Sequence, residues 1–117
     1  LPNSGDSSVF DMGGSTSTFE IDAVRLDEAI DLSGYSGTVI LKVVAEGAEP
    51  EVLEGAKKIL DNIDYVTIDC GPERGAEQEY TFIQTNNIMI ENGFTLINIK
   101  FDRTISLYHN SNKKPAL

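Results

Sequence analysis

The chain has little positive charge: nine Lys and Arg residues stand against nineteen Asp and Glu residues, for a formal net charge of −10. Surfaces that bind nucleic acid or anionic membranes without specificity depend on clustered Lys and Arg. The composition therefore argues against both kinds of partner. The plainest interpretation of the excess acid is solubility.

Cysteine is also scarce. Cys70 stands alone, which excludes an intrachain disulfide and makes a reducing cytosol the simplest compartment. Long apolar runs are missing too, since none approaches the roughly 20 residues that span a bilayer. Residues 1–14 are polar and glycine-rich, unlike a signal peptide. We predict a cytoplasmic location without membrane contact.

Residues 38–60 predict a strand, a tight turn and a helix. The strand is a nearly unbroken apolar run, made of Val39, Ile40, Leu41, Val43 and Val44. Such a run is typical of a strand covered on both faces, as in the middle of a parallel sheet. Pro50 suits the first helical position, because its φ is preset and it needs no amide partner. One apolar helix face follows, made of Val52, Leu53, Ala56, Ile59 and Leu60.

Strands and helices are also predicted on both sides of this unit. Residues 18–26 favour a short strand, after which Asp27 is a candidate cap for a brief helical turn. Residues 65–70 favour a strand, and the loop at 71–75 is expected at the functional edge of the sheet. Residues 77–92 favour a helix that ends at Gly93. Its predicted face consists of Tyr80, Ile83, Asn87 and Ile90, with Phe82 and Met89 flanking it.

The chain ends in a predicted hairpin. Residues 94–100 and 104–109 are β-rich runs separated by a short turn, the spacing of an antiparallel pair. The whole of residues 1–117 is interpreted as one partial α/β domain, with a core at residues 38–110. A loop or arm is expected before it at residues 1–18, and a fraying polar tail after it at 111–117.

Two neighbouring segments carry a family resemblance. Residues 41–49 (LKVVAEGAE) and 52–56 (VLEGA) resemble the signature LKIDVEGAE…VLxGA of FkbM-like methyltransferases. Residues 65–70 resemble that family's next strand, and Gly93-Phe94 its later step into a strand. The resemblance implies a Rossmann-like sheet and an enzyme that uses S-adenosylmethionine, most often on hydroxyl groups. The family's Asp at the end of the first matching strand is Val44 here, which predicts weakened or absent activity.

A complete enzyme of this type needs an earlier strand with a Gly-rich turn, and then an acidic residue that holds the ribose hydroxyls. Neither feature precedes residue 38. We therefore expect the C-terminal portion of a longer methyltransferase, with most cofactor-binding elements outside the chain. Without a neighbour, the strand at Val39–Val44 becomes an apolar edge, which predicts self-association. The alternative is that residues 19–26 cover that edge.

Candidate site residues lie where the predicted strands end, since ligands of an open parallel sheet bind beyond the carboxyl ends of its strands. Glu46 is a candidate general base or holder of substrate hydroxyls; alternatively, it only stabilises the following helix start. Gly47 allows close backbone approach, and Asp69 is expected to line the same crevice. Lys42 interrupts an apolar run, so it either directs a charge at the site or is a paired structural lysine.

Other titratable residues favour structural roles. Glu49, which precedes Pro50, is interpreted as a helix cap. Cys70 is interpreted as a small buried hydrophobe rather than a nucleophile, and His109 as a surface residue. No His and Cys spacing typical of a metal site is present, so no metal is predicted.

Two functions are therefore expected. The first, implied by the resemblance, is S-adenosylmethionine-dependent O-methyl transfer to a small-molecule or glycan hydroxyl. Its catalytic candidates are Glu46 and Lys42, and its substrate-binding candidates are Glu46, Gly47 and Asp69. The 117 residues alone are expected to be inactive, because half of the cofactor site is absent. The second is a non-catalytic interaction or assembly domain that reuses the half-fold, which Val44 and the missing Gly-rich turn favour.

Overall fold

The computed structural model describes residues 9–10 and 18–116. Three α-helices, one 3₁₀ helix and four strands occur in these residues. In chain order they are α1 (Leu26–Ala29), β1 (Ile40–Val43), α2 (Glu49–Gly55), the 3₁₀ helix (Lys57–Asn62), β2 (Tyr65–Asp69), α3 (Phe82–Glu91), β3 (Phe94–Lys100) and β4 (Ile105–Asn110).

The four strands form one mixed sheet in the order β1-β2-β4-β3. The β1 and β2 strands are parallel, joined by α2 and the 3₁₀ helix as a crossover. The predicted hairpin is confirmed, and its second strand lies antiparallel to both β2 and β3. The α/β class is thus confirmed, but the sheet is mostly antiparallel, with a single parallel pair among the described strands.

The predicted core face of the first long helical segment is confirmed. Leu53, Ala56 and Leu60 are almost fully buried, and they pack with Val43 and Ile68 of the sheet. The segment is not one continuous α-helix, however, because α2 ends at Gly55 and the chain continues as the 3₁₀ helix. The change of helix type keeps the same side chains against the sheet.

The prediction that residues 39–44 form a strand covered on both faces is wrong. The β1 strand does lie at the edge of the sheet, as predicted, and pairs only with β2 among the described strands. Its side chains alternate: Val43 is buried against the helices, whereas Ile40 and Val44 are 57% and 51% exposed. The long apolar run here belongs to a strand with only one covered face. The apolar composition of an edge strand does not show whether its second face is also buried.

The predicted face of α3 is also wrong. Ile83 and Ile90 are exposed, as is Tyr80 before the helix, while Thr85 and Met89 are buried. Thr85 tolerates burial because its hydroxyl donates to the Thr81 carbonyl oxygen at 3.0 Å and also lies 3.3 Å from the Cys70 sulfur. A polar residue can thus face a core when local acceptors satisfy its hydroxyl.

The segment before β1 differs from its prediction. Residues 18–25 contain no strand and do not cover the β1 edge by strand pairing; the helical turn begins at Leu26, with Arg25 as the N-cap in place of Asp27. The Asp27 carboxylate instead pairs with the Arg25 guanidinium at 2.9 Å and accepts from the Lys58 amide at 3.0 Å. Most of the predicted arm at residues 1–18 lies outside the described residues.

The tail prediction needs one correction. Residues 111–116 pass close to the sheet, and the Ala116 amide donates to the Tyr65 hydroxyl at 2.8 Å. Residue 117 lies outside the described residues. Across the described ranges, no helix is both long enough and apolar enough to cross a membrane.

Candidate functional site

The turn after β1 has an unusual backbone. Glu46 has φ of 49° and Gly47 has φ of 101°, so two successive residues lie at positive φ. Glycine adopts this conformation freely, but a residue with a β-carbon does so at a cost and only when its surroundings hold it there. The turn therefore places the Glu46 side chain at the carboxyl end of the parallel strand pair.

Glu49 holds this turn together. Its side chain is buried, and one carboxylate oxygen accepts hydrogen bonds from the Ala45 amide at 2.9 Å and the Gly47 amide at 3.0 Å. Its other oxygen accepts from the Thr81 hydroxyl at 2.9 Å. No side-chain bond of Glu49 caps α2, so the predicted capping role is wrong. The carboxylate instead satisfies the amides of the preceding turn, which a buried charge requires.

The backbone at Glu73 and Arg74 packs directly against the turn. A β-carbon at Gly47 would lie 2.6 Å from the Arg74 Cα atom and 2.8 Å from the Glu73 carbonyl oxygen. The Arg74 guanidinium donates to the Gly47 carbonyl oxygen at 2.7 Å and to both oxygens of Glu51, at 2.7 and 2.8 Å. Close backbone approach at Gly47 was expected for a substrate; in the structure the space is filled by residues 73–74.

This packing brings two carboxyl groups together. Glu46 and Glu73, both half-buried, lie close enough for a hydrogen bond between their carboxyl groups. An ionised carboxylate can only accept, so a hydrogen bond between the two groups requires a proton on one of them. The bond with Glu46, then burial, then the negative charges of Glu46, Asp69 and Glu49 raise the pKa of Glu73 to about 7. Glu73 can therefore gain or lose a proton near neutral pH, as a general acid–base group must.

Asp69 lies beside this pair and also faces a separate cavity. One Asp69 oxygen accepts from the Gly71 amide at 3.2 Å, and the other lies 3.8 Å from the Arg103 guanidinium. Asp69 lines a cavity of about 390 Å³ on the uncovered face of the sheet, with Lys42 and Val44 on its wall. Lys42 and Asp69 therefore line the same cavity. The electrostatic interaction between Asp69 and Glu73 connects this cavity to the Glu46–Glu73 pair.

Lys42 is exposed, and among the described residues no salt bridge pairs it. Lys42 lines the cavity, and its role as a charge directed at the site stays a prediction.

The remaining titratable candidates are structural. Cys70 is fully buried, as predicted, and burial raises the pKa of its thiol. His109 is not a plain surface residue: its ring lies 4.9 Å from that of Tyr65, and its Nε2 atom is enclosed without a hydrogen-bond partner among the described atoms. The antiparallel pairing of β4 with β2 explains this, because it places His109 directly opposite Tyr65.

Sequence reasoning missed several residues that complete the site. Glu73 and Arg74 lie in the loop that was expected at the functional edge, but nothing in their spacing indicated a carboxyl pair. Lys100 and Arg103 line the cavity because the hairpin turn lies at the same edge as the end of β2. That placement depends on strand order, which no local pattern reports. The one usable signal was the position of residues 71–75 after a predicted parallel strand.

Comparison of the chain with models of known protein families, with curated proteins and with solved structures finds no match. In the part of the chain that the structure describes, no group of three or more His, Cys, Asp or Glu residues is placed to hold a metal ion. The chemistry of the site is therefore argued from its carboxyl pair and its cavity.

Proposed function

We propose that this chain is the acceptor-binding part of an FkbM-like O-methyltransferase, with a small-molecule or glycan hydroxyl as the group that is methylated. The observation that carries the proposal is the Glu46–Glu73 carboxyl pair at the carboxyl end of β1, with the pKa of Glu73 raised to about 7. A hydroxyl oxygen loses its proton when it is alkylated, and a group with a pKa near neutrality suits the transfer of that proton.

The parallel β1–β2 pair and its helical crossover also support the proposal, as does the sequence resemblance at residues 41–56. Ligands of such sheets bind beyond the carboxyl ends of the strands, where Glu46 and Asp69 lie. Lys42 faces the adjoining cavity and favours the binding of a negatively charged part of the acceptor. Cys70, buried and free, suits the reducing cytosol that we propose as the compartment.

The described residues do not fit an S-adenosylmethionine site. Residues 18–39 contain no strand, so no Gly-rich turn between a strand and a helix precedes β1 there. Val44 stands where the resembling family has Asp, which removes one more polar group. No residue described here is therefore assigned to that cofactor, and no step is derived through it.

Calorimetry with S-adenosylmethionine tests this division. We expect no heat of binding with the 117-residue chain. Binding with micromolar affinity would contradict the claim that the cofactor is held elsewhere. In a longer protein that contains these residues and methylates a hydroxyl, Glu46→Gln and Glu73→Gln are each expected to lower kcat by about 10²-fold or more. Unchanged kcat in both variants would exclude the carboxyl pair as the acid–base group.

A second candidate is a non-catalytic assembly domain, favoured by the edge of β1. The Val39 carbonyl oxygen accepts from the Tyr65 amide at 3.2 Å, so Leu41 and Val43 also direct their peptide groups at β2. Ile40 and Lys42 consequently direct theirs away from the sheet. Such an edge favours pairing with the same strand of a second copy, which continues the sheet across a two-fold axis.

Sedimentation equilibrium tests the second candidate. We expect a dimer that Ile40→Lys converts to monomer, because a charge at an edge strand opposes pairing with a like charge. The control is Ile83→Lys, which adds the same charge at an exposed position of α3. A monomer at all concentrations, or equal loss of the dimer in both variants, would exclude pairing through β1.

A further inference from the structure

The cavity on the uncovered face of the sheet gathers an unusual share of the positive charge. Only nine Lys and Arg residues occur in the chain, and three of them, Lys42, Lys100 and Arg103, line this one cavity. They come from separate elements: β1, the end of β3 and the turn before β4. A chain with a net charge of −10 has no general reason to place these cations together.

The rest of the lining suits a polar ligand with a small apolar part. Thr67 lies on β2, paired with Lys42 of β1 on one side and Leu107 of β4 on the other, and Val44 and Ile105 supply apolar lining. Asp69 is the one carboxylate among the lining residues. Three cations against one carboxylate leave two positive charges in excess, so a ligand with two negative charges balances the cavity.

We infer that this cavity binds a small molecule that carries a phosphate group, through Lys42, Lys100 and Arg103. A phosphate monoester carries about −1.5 to −2 charges at neutral pH and offers three acceptor oxygens, which matches the excess charge and the number of cationic donors. The cavity volume of about 390 Å³ suits a small ligand. A nucleic acid is a poor fit, because the remaining surface is strongly acidic and repels a long polyanion.

This inference goes beyond methyl transfer and does not depend on it, since binding is measured without any cofactor. It requires only the fold and the charges of the cavity. A failure to bind phosphate therefore leaves the acid–base proposal standing, and a failure of methyl transfer leaves the phosphate site standing.

The test is an NMR titration of the ¹⁵N-labelled chain with inorganic phosphate at constant ionic strength. We expect saturable shifts of the Lys42, Thr67 and Ile105 amides, and no shift of the same amides when sodium chloride replaces phosphate. Equal shifts with both salts would mean general ion screening and would overturn the inference. A short single-stranded oligonucleotide is expected to leave these amides unshifted; tighter binding of the oligonucleotide than of phosphate would also overturn it.

Two matched triple variants distinguish the effect of the cavity charges on phosphate binding from the effect of the overall net charge. The variant Lys42→Gln, Lys100→Gln, Arg103→Gln is expected to bind phosphate about tenfold more weakly or worse, since each charge contact is partly exposed to solvent. The control variant Lys57→Gln, Lys58→Gln, Lys114→Gln loses the same charge outside the cavity and is expected to bind as the parent chain does. Equal affinity in the two triple variants would contradict the assignment. Thermal unfolding of both variants checks that each is folded.

Removing the negative charge of Asp69 tests the same inference in the opposite direction, because it should strengthen phosphate binding. Asp69→Asn keeps an oxygen that can accept from the Gly71 amide, but it raises the excess charge of the cavity from two to three. Phosphate affinity is therefore expected to rise about threefold or more. A fall in affinity would show that Asp69 supports the ligand directly, and the charge-balance inference would be wrong.

Discussion

The two faces of the sheet are built from the same four strands but carry different chemistry. One face packs Val43, Ile68 and Tyr108 beneath the helices, and all three are almost fully buried. The other face presents Lys42 and Asp69 to a water-accessible cavity. Hydrophobic burial is therefore concentrated on the covered face, and stability there depends on packing. The open face can carry charged side chains, because solvent and neighbouring charges of opposite sign stabilise them.

The turn after β1 joins the two faces. Glu49 reaches inward and anchors the turn to Thr81, whereas Glu46, three residues earlier, meets Glu73 at the rim. One carboxylate is thus fully satisfied by hydrogen-bond donors, and the other is held against a second acid. The hydrogen bonds of Glu49 stabilise the fold, whereas the contact between Glu46 and Glu73 raises the pKa of Glu73. Two glutamates three residues apart therefore have different effects.

The largest expected effect distinguishes the buried and exposed sides of α3. Met89→Ala removes a side chain with no exposed area, and we expect it to lower the free energy of unfolding by about 3 kcal/mol. Ile90→Ala, one residue later, removes a side chain that is 51% exposed, and its expected cost is about 0.5 kcal/mol. Urea denaturation measures both. Similar losses would mean that α3 packs with a different face.

Crowding at the turn gives the next largest effect. Gly47→Ala must keep a positive φ and also displace the backbone of Arg74, and we expect a loss of about 2–3 kcal/mol in unfolding free energy. Gly34→Ala is the matched control, because Gly34 has φ of 79° with no heavy atom within 4 Å of the added carbon. Its expected loss is about 1 kcal/mol, from the backbone alone. Equal losses at the two sites would contradict the close packing of residues 73–74 on the turn.

Local patterns in the sequence predicted much of this fold. Strong local signals occur in the β1–α2 unit, the β2 strand and the terminal hairpin. They include an apolar run, Pro50 at a helix start and Gly93 at a helix end. Gly93 does adopt positive φ, at 84°. Strands and helices could be predicted from these features because each feature depends on interactions within a few residues of the chain.

The site was only partly predictable, because it depends on distant contacts. Glu46, Lys42 and Asp69 could be placed at the sheet edge from the order of strand and turn. Their partners Glu73 and Arg103 could not, since they arrive through loop packing and through the position of β4 between β2 and β3. The wrong face of α3 has a similar cause: the burial of Thr85 depends on the Thr81 carbonyl oxygen, which accepts from its hydroxyl, and on contact of that hydroxyl with the Cys70 sulfur.

The smallest expected effect concerns the pH dependence of stability. The pKa of Glu73 rises from an ordinary 4.5 to about 7 on folding, so between these values the folded chain keeps a proton that the unfolded chain has released. This contribution to stability is fully present below pH 4.5 and is lost as the pH rises through about 7. Glu73→Gln removes that dependence, because its amide can donate to Glu46 at every pH.

The expected size is modest, since Glu73 is partly solvated. Between about pH 5 and about pH 8 the parent chain should lose about 1 kcal/mol of unfolding free energy more than the Glu73→Gln variant does. Glu54→Gln serves as the control, because Glu54 is exposed on α2 and its replacement should leave the parent slope intact. An identical slope in the parent chain and in Glu73→Gln would contradict a shared proton at the turn.

The most direct measurement is the titration of the ¹³C-labelled glutamate carboxyl carbons by NMR. The Glu46–Glu73 pair is expected to show one titration step near pH 7, far above the ordinary glutamate value of 4.5, and Glu46→Gln should lower that step. If every glutamate carboxyl instead titrates near 4.5, the two acids do not share a proton, and the proposed acid–base site at the carboxyl end of β1 is wrong.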